Sequence, residues 1–323
     1  MNAILPDGDA DGPGDDEGPD GVVERRLAVA DACQHGLRLD KALVQMAPEF
    51  SRSHLQQLIA TGHVRVDGET ATQASRKLRV GQRLELELIP SDESRAYAPQ
   101  ALAIDAVFED PHLLVLNKPA GLVVHPAPGN WSGTLLNGLL DRYAASAALP
   151  RAGIVHRLDK DTSGLMVVGK TLAAVTALSR AIAAREVHRE YMALAHGCFS
   201  EPRRTVEAPI GRDPVSRVRM AVVAGGRPAR TDIAQVACRD GCCAVRCTLH
   251  TGRTHQIRVH MAWCGHPLVA DSTYRGAAAL GMARQALHAA QLRLRHPASG
   301  EPLAFCCPPP ADFERAWASV VRR

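Results

Sequence analysis

Aromatic residues are scarce in this 323-residue chain, at 4% of the total, although hydrophobic residues make up 46%. The core must therefore be built mainly from Leu, Val, Ile and Ala. No stretch approaches the roughly 18 uncharged apolar residues that a membrane-spanning helix needs. The N-terminus also lacks the basic and apolar segments of a secretory signal. These absences predict about two soluble domains in the cytoplasm, and they argue against a membrane or secreted protein.

Cofactor and metal motifs are missing too. The chain has neither a Gly-x-x-x-x-Gly-Lys phosphate loop nor a dinucleotide fingerprint, so we predict no nucleotide or nicotinamide cofactor. The nine cysteines do not form the regular framework of a small disulfide-rich domain. The densest group lacks the usual spacing of a zinc knuckle, so we predict no metal; it comprises Cys238, Cys242, Cys243 and Cys247. We expect residues 239–241 to form a hairpin turn, with these cysteines as small, reduced, apolar residues on its strands.

Charge is distributed unevenly along the chain. Residues 1–24 hold eight acidic residues and no Lys or Arg, which leaves +12 on residues 25–323 although the whole chain carries only +4. So basic a body indicates a polyanionic partner such as nucleic acid, and a merely soluble basic surface is the alternative. The acidic, Gly- and Pro-rich head cannot bury enough apolar surface to offset its ordering entropy. We predict that residues 1–24 are disordered.

Residues 37–88 have the pattern of a small module. Its predicted elements are a helix with apolar positions Leu39, Leu43 and Met46, a helix from Ser51 or Ser53 to Gly62, a strand at 64–66 followed by an Asp67-Gly68 turn, and a strand with Leu84, Leu86 and Leu88. Ser53 with Gln56 three residues later has the form of a capping box.

Within this module, residues 38–43, 51–53 and 62–68 resemble the S4 RNA-binding domain. In that family the helix pair lays a basic face on RNA phosphates, and the resemblance implies this role for Arg38, Lys41 and Arg52. Without the resemblance, two basic amphipathic helices are more often simply a solvated surface. We place the S4 domain at residues 25–90, a linker at 91–100 and a catalytic domain at 101–323.

Residues 101–323 mix short strands and helical stretches without a repeating β-α alternation, which favours an α+β fold over a doubly wound sheet. Residues 113–126 have the pattern of a strand, a Pro-containing turn and an extended piece. The most economical interpretation is a structural hairpin. Lys118 and His125 would then serve as RNA or support contacts.

Residues 156–164 form a loop between two apolar runs and carry five ionisable side chains. Charges near a core are costly unless they are paired, so such a loop usually has a function. Asp159 and Asp161 are too close in sequence for a glycosidase pair, whose carboxylates flank the sugar from separate elements. We expect Asp161, Thr162 and Ser163 to hydrogen bond their own backbone, and Gly164 to supply a positive φ.

Residues 249–260 predict a helix that is capped by Thr254 and ends at Gly265. Its apolar stripe comprises Ile257, Met261 and Cys264. Arg258 then lies near the positive end of the helix dipole, where it needs a carboxylate or phosphate partner, and Arg253 adds to the same field. The three histidines at 250, 255 and 260 do not align on one helix face, which argues against zinc.

Together with residues 117–121, 133–137, 189–191, 287–289 and 296–297, these segments resemble the RluA family of pseudouridine synthases. The resemblance implies an α+β catalytic domain with a mixed, mainly antiparallel sheet. It also implies that the N1–C1′ bond of a flipped uridine breaks and that C5 then joins C1′, without a cofactor. Reaching a stacked uridine costs a few kcal/mol.

The family's catalytic residues fall on Asp159, Tyr191 and Arg258. The resemblance implies that Arg258 orients the carboxylate of Asp159, which either attacks C1′ or removes the 2′ proton. Tyr191 would stack on the base, and a role as base toward the C5 proton stays open. Arg157 would fill the vacated stack, and we add Arg253 to the RNA-binding residues.

The implied substrate is large-subunit rRNA or a pre-ribosomal particle, with the stem-loop helix 69 as target, and we expect a monomer. One alternative is a sister enzyme that acts on other rRNA or tRNA uridines. A second is a catalytically silent RNA-binding assembly factor, which the presence of Asp159, Tyr191 and Arg258 disfavours. A small-molecule sugar hydrolase would leave the basic S4 module unexplained.

Overall fold

The computed structural model describes residues 24–89, 96–216 and 219–322. The chain divides into two compact units between Ser91 and Asp92. The predicted disordered head lies outside the described residues except for Glu24, and so does the first half of the predicted linker. Within the described ranges, no helix has the length and apolarity to cross a membrane.

The first unit packs two helices against a four-stranded antiparallel sheet with strand order β1-β4-β2-β3. Its elements are β1 (Glu24–Val29), α1 (Leu39–Met46), α2 (Arg52–Ala60), β2 (Val64–Val66), β3 (Glu69–Thr70) and β4 (Arg83–Leu88). The alternation of Leu84, Leu86 and Leu88 buries one face of β4 under the helices, as predicted. Strand β1, which pairs along the whole of β4, was not predicted.

Helix α2 begins at the first of its two predicted starts, two residues before Ser53. The Ser51 hydroxyl accepts a hydrogen bond from the backbone N–H of His54 at 3.2 Å, so Ser51 is the N-cap. The predicted Ser53–Gln56 box is wrong, because Gln56 instead donates to the carboxylate of Asp40 on α1 at 2.6 Å. At the other end, Gly62 takes a φ of +84°, as the predicted helix stop requires.

Asp40 is fully buried and ties the two helices together. It accepts hydrogen bonds from the guanidinium groups of Arg38 and Arg52, at distances down to 3.0 and 2.7 Å respectively. The hydrogen bonds from Arg38, then those from Arg52 and Gln56, hold the pKa of Asp40 well below its usual value despite burial. Arg38 and Arg52 therefore have a structural partner, whereas Lys41 is exposed.

The second unit is built on a nine-stranded mixed sheet with strand order β5-β6-β7-β14-β8-β13-β12-β9, in which β15 also pairs with β14. The strands of this unit are β5 (Asp105–Glu109), β6 (Leu113–Lys118), β7 (Ser163–Gly169), β8 (His188–His196), β9 (Arg203–Glu207), β10 (Ile210–Arg212), β11 (Met220–Val222), β12 (Arg230–Arg239), β13 (Cys242–Leu249), β14 (Leu287–Arg295) and β15 (Pro302–Cys306). Of these, β10 and β11 pair in a separate two-stranded sheet. Its helices are α3 (Leu135–Arg142), α4 (Leu172–Ala183), α5 (Gln256–Trp263) and α6 (Ala311–Val321). Among the described pairings of this sheet only β7 with β14 is parallel, which confirms the predicted mainly antiparallel α+β fold.

Strands β6 and β7 are buried on both faces, which explains why their sequences are continuous apolar runs rather than alternating ones. Leu114, Leu116 and Met166 face the cluster that includes α3, whereas Leu113 and Leu165 face the cluster that includes α4. The loop before β7 is thereby anchored to a strand that is buried along its whole length.

The predicted hairpin turn is confirmed. Asp240 and Gly241 have φ values of 49° and 74°, typical of a two-residue turn between β12 and β13. Cys242, Cys243 and Cys247 are buried on β13 as apolar residues. Within the described residues, no group of His, Cys, Asp and Glu could hold a metal ion.

The expectation of reduced thiols is wrong for one pair. The structure joins Cys198 and Cys238 in a disulfide, with Cα atoms 5.8 Å apart. The reason is tertiary: the chain leaving β8 crosses the hairpin tip, where the Gly197 N–H donates to the Gly241 carbonyl.

Candidate active site

A cavity of about 700 Å³ opens in the second unit, between the loop that precedes β7 and the segment that leads into α5. It brings together five of the sequence-predicted site residues, namely Arg157, Asp159, Tyr191, Arg253 and Arg258. The other three, Arg38, Lys41 and Arg52, belong to the first unit. The cavity is therefore the candidate active site of the chain.

Arg258 lies in the first turn of α5 and holds two carboxylates. Its Nη1 donates to Asp159 Oδ2 at 3.0 Å, while Nε and Nη2 donate to the two oxygens of Asp271 at 2.7 and 2.9 Å. Burial opposes its charge, but the hydrogen bonds and charges of the two carboxylates outweigh burial and raise the pKa of Arg258. The anion expected at this helix end is thus a pair of carboxylates. Asp271 was not predicted as a site residue, because it lies in an irregular segment without a motif.

Asp159 is the member of this group that reaches the cavity. Its side chain is 14% exposed, whereas those of Arg258 and Asp271 are 6% and 1% exposed. One oxygen is engaged by Arg258, and the nearest basic nitrogen to the other is His255 Nε2, at 3.9 Å. The geometry holds one carboxylate oxygen and presents the second to a ligand.

The start of α5 differs from its prediction. His255, with a φ of 56°, is the N-cap, and Thr254 provides no cap. The Gln256 side chain closes the turn by accepting hydrogen bonds from the Arg253 N–H and the Thr251 hydroxyl. The left-handed His255 turns its ring toward Asp159, which local propensity does not encode.

His255 and Tyr274 form a second layer beside the ion pair. His255 Nδ1 lies 2.9 Å from the Tyr274 hydroxyl, and the Arg258 guanidinium lies 5.1 Å from the centre of the Tyr274 ring. Burial, more than any charge nearby, lowers the pKa of His255, so its ring is neutral over a wider pH range than usual. Neither His255 nor Tyr274 was predicted to belong to the site.

Lys118 holds the backbone of the Asp159 loop in place. It is fully buried, and its ammonium donates to the carbonyls of Pro119, Leu122 and Lys160 at 2.7 to 2.9 Å. Of the two predicted roles, support and RNA contact, the structure selects support. Burial lowers the pKa of Lys118 to about 8, although Asp161 and Asp159 act in the opposite direction.

The end of the Asp159 loop is held by β14 and the residues just before it rather than by its own backbone. The Thr162 hydroxyl accepts from the Gln285 amide at 3.1 Å, and the Ser163 hydroxyl lies 3.0 Å from His288 Nδ1. The expected self-capping is therefore wrong, because the parallel strand offers better partners. The positive φ predicted for Gly164 is confirmed at 113°.

Tyr191 lies on β8 and is 5% exposed, with its side chain in the cavity. Burial raises the pKa of its phenol above the usual value, so Tyr191 is a poor base at neutral pH. Arg157 lines the same cavity but is exposed. A buried ring for stacking and an exposed cation at the opening suit a flat base that enters from solution.

The sequence matches two known family models and a well-covered relative. Residues 112–263 match the family model described as RNA pseudouridylate synthase, and residues 37–84 match the S4 domain model. The chain is 45% identical over 308 residues to the ribosomal large subunit pseudouridine synthase D of Xanthomonas campestris pv. campestris, which covers 91% of this chain and 92% of the relative. This chain belongs to the RNA pseudouridine synthase family. It is an isomerase, and its N-terminal unit is an S4 domain.

Other pseudouridine synthases agree with this assignment. The protein of the same name from Neisseria meningitidis serogroup B is 47% identical over 291 residues, which cover 86% of this chain and 77% of the relative. Among solved structures, human RNA pseudouridylate synthase domain containing 1 is 28% identical, with a TM-score of 0.51 over 71% of this chain and 90% of that chain. The predicted family resemblance is confirmed.

Proposed function

We propose that this pseudouridine synthase isomerises specific uridines of large-subunit rRNA, in the stem-loop helix 69. Two relatives, at 45% and 47% identity, are named as pseudouridine synthases of the ribosomal large subunit, which supports large-subunit rRNA as the substrate. The single observation that carries the chemistry is the Asp159 carboxylate, held by a buried arginine at the edge of a cavity that Tyr191 also lines. A substrate of this kind places the enzyme in the cytoplasm, with rRNA or a pre-ribosomal particle as partner.

In the proposed reaction, Asp159 acts on the ribose of a flipped uridine through the oxygen that Arg258 leaves free. It either attacks C1′ or removes the 2′ proton, and the N1–C1′ bond breaks. The uracil turns while stacked on Tyr191, and C5 joins C1′ as either the bond from Asp159 to C1′ breaks or the proton returns to C2′. The C5 proton then leaves and N1 gains a proton. Atoms and electrons balance within the nucleotide, so the net reaction needs no external group.

The cationic residues give the proposed RNA contacts. Arg157, exposed at the cavity, fills the stack that the uridine vacates, and Arg253 faces the phosphates near the opening. In the S4 domain, Lys41 is exposed, and Arg38 and Arg52 keep 41% and 48% of their side chains exposed although they bind Asp40. We assign the domains as residues 25–90 and 101–323, joined by a linker.

The experiment is pseudouridine mapping of rRNA by carbodiimide treatment and primer extension, in cells with and without the protein. Loss of the stops in helix 69, restored by the wild type but not by Asp159→Asn, is the expected result. Unchanged helix 69 stops with losses elsewhere would move the target to other uridines. Unchanged stops in all rRNA and tRNA would contradict the proposed function.

A further inference from the structure

Arg189 on β8 is a buried cation that has no counter-ion within the part of the chain that the structure describes. The residue is 5% exposed, and its Nε is buried without a hydrogen-bond partner. Among the described residues, no carboxylate lies within 4.0 Å of its guanidinium. Its neighbour Glu190 instead pairs with Arg246, on the solvent-facing side of the adjacent strand.

The guanidinium faces the candidate active site. Arg189 precedes Tyr191 by two residues on β8, so both side chains lie on the same face of the sheet, and both line the cavity. A Cβ on Gly252 would lie 2.9 Å from Arg189 Nη1, so this glycine leaves room for the guanidinium. The side chain is thus enclosed on one side and open to the cavity on the other.

The residues around Arg189 add positive charge and do not neutralise its guanidinium. Arg185 and Arg253 line the same cavity, and the charge of Arg185 acts on Arg253. The buried imidazole of His156 offers Arg189 no acceptor, because its Nε2 accepts from the Val167 N–H and the proton of the neutral ring is therefore on Nδ1, which has no partner. A buried cation without a partner is strongly unfavourable, and folds keep such groups chiefly where a ligand supplies the opposite charge.

We propose that Arg189 binds a backbone phosphate of the RNA beside the flipped uridine. This assignment rests on the proposed function, since it takes RNA as the ligand. A phosphate matches the planar fork of a guanidinium and brings the negative charge that the site lacks. A uracil carbonyl would satisfy a hydrogen bond but leave the charge uncompensated. Arg189 is therefore a binding residue that positions the nucleotide over Tyr191.

The first test is thermal unfolding of the full-length protein, which does not depend on turnover. Arg189→Met replaces the unpaired cation by an apolar chain of similar length, and Arg246→Met is the matched control on β13. We expect Arg189→Met to unfold at the wild-type temperature or above it, and inorganic phosphate to stabilise the wild type more than this variant. A large fall in unfolding temperature, or equal stabilisation by phosphate, would overturn the proposal.

The second test is binding of a helix 69 stem-loop RNA at several salt concentrations. We expect Arg189→Met to weaken binding about ten- to a hundredfold and to reduce the slope of log K against log salt by about one. A methylphosphonate at one phosphate flanking the target uridine should weaken binding by the wild type and by Arg246→Met, but not further by Arg189→Met. An unchanged slope, or a methylphosphonate that weakens binding by Arg189→Met as much as binding by the wild type, would refute the phosphate contact. If the wild type binds this RNA but produces no pseudouridine, the proposed function fails while the slope still tests Arg189.

Discussion

Asp159 and Asp271 share one guanidinium, and we predict that their replacement by Asn has opposite consequences. Asp271→Asn should cost stability, because Asp271 is 1% exposed and holds Arg258 by two hydrogen bonds of 2.7 and 2.9 Å. Asp159→Asn should cost activity, because Asp159 makes one hydrogen bond of 3.0 Å with Arg258 and presents its other oxygen to the cavity.

The magnitudes follow from burial. Removing one partner of a buried ion pair typically costs about 3–5 kcal/mol. In Asp271→Asn the remaining carboxylate of Asp159 and one amide oxygen offset part of this cost, which leaves about 2–4 kcal/mol. At roughly 2–4 °C per kcal/mol for a domain of this size, the unfolding temperature should fall by about 4–16 °C. Asp159→Asn should change stability by no more than about 1 kcal/mol.

The kinetic effect of Asp159→Asn should be at least about 10²- to 10⁴-fold, the range for loss of a general base, and larger if Asp159 is the nucleophile. The assay is single-turnover pseudouridine formation on a stem-loop RNA, with thermal unfolding measured on the same preparations. Glu109→Gln, at an ion pair with Arg142 and Lys170 outside the cavity, is the control and should change neither quantity appreciably.

Two results would refute this reasoning. Asp159→Asn with near-wild-type turnover would remove Asp159 from the chemistry. Asp271→Asn with unchanged unfolding temperature would show that Asp159 alone suffices to neutralise Arg258. The full activity of a destabilised Asp271→Asn protein at low temperature would show in addition that Asp271 does not position Arg258.

Three further predictions concern the supports of the two domains. The pKa of Lys118 is about 8 in the folded protein against an ordinary 10.5, so the folded state binds fewer protons than the unfolded state between these values. The free energy of unfolding should therefore rise with pH across that window. Urea unfolding from pH 7.5 to 10 should show this rise in the wild type but not in Lys118→Met. Gly164→Ala should lower the free energy of unfolding by more than about 2 kcal/mol, because the φ of Gly164 is 113° and a Cβ would lie 2.2 Å from the Ala289 carbonyl oxygen. The control Gly265→Ala, at positive φ with open space, should lower it by only about 1 kcal/mol. Equal losses of stability in calorimetry would contradict the clash. Asp40→Asn should destabilise the S4 domain by about 2–4 kcal/mol at pH 7. Because the pKa of Asp40 is lowered in the folded state, the stability difference between wild type and variant should shrink as pH falls below about 4. A stability difference that does not change with pH would argue against the ion pair.

Features that depend on a few consecutive residues could be predicted from the sequence. The Asp240-Gly241 turn, the positive φ of Gly164 and the stop at Gly62 each follow from the backbone freedom of one or two residues. The apolar stripes of α1 and α5 follow from helical periodicity, and the family motifs pointed to Asp159 and Arg258. Local chemistry also indicated that Arg258 needs an anion, because a cation at a helix start is unfavourable there.

Which partner each group found was decided by the tertiary structure. His255 and Arg258 reach Asp159 only because α5 docks beside the loop that precedes β7. Asp271 reaches Arg258 because the irregular segment after α5 folds back onto that helix. Strand β14 placed His288 beside Ser163 and replaced the expected local hydrogen bonds. Ser163 and His288 are 125 positions apart in the chain, and no local pattern encodes the strand order that brings them together. The sequence thus determined the kinds of chemistry available, whereas the packing of the sheet decided which of its charges are paired and left Arg189 facing the cavity without a partner among the described residues.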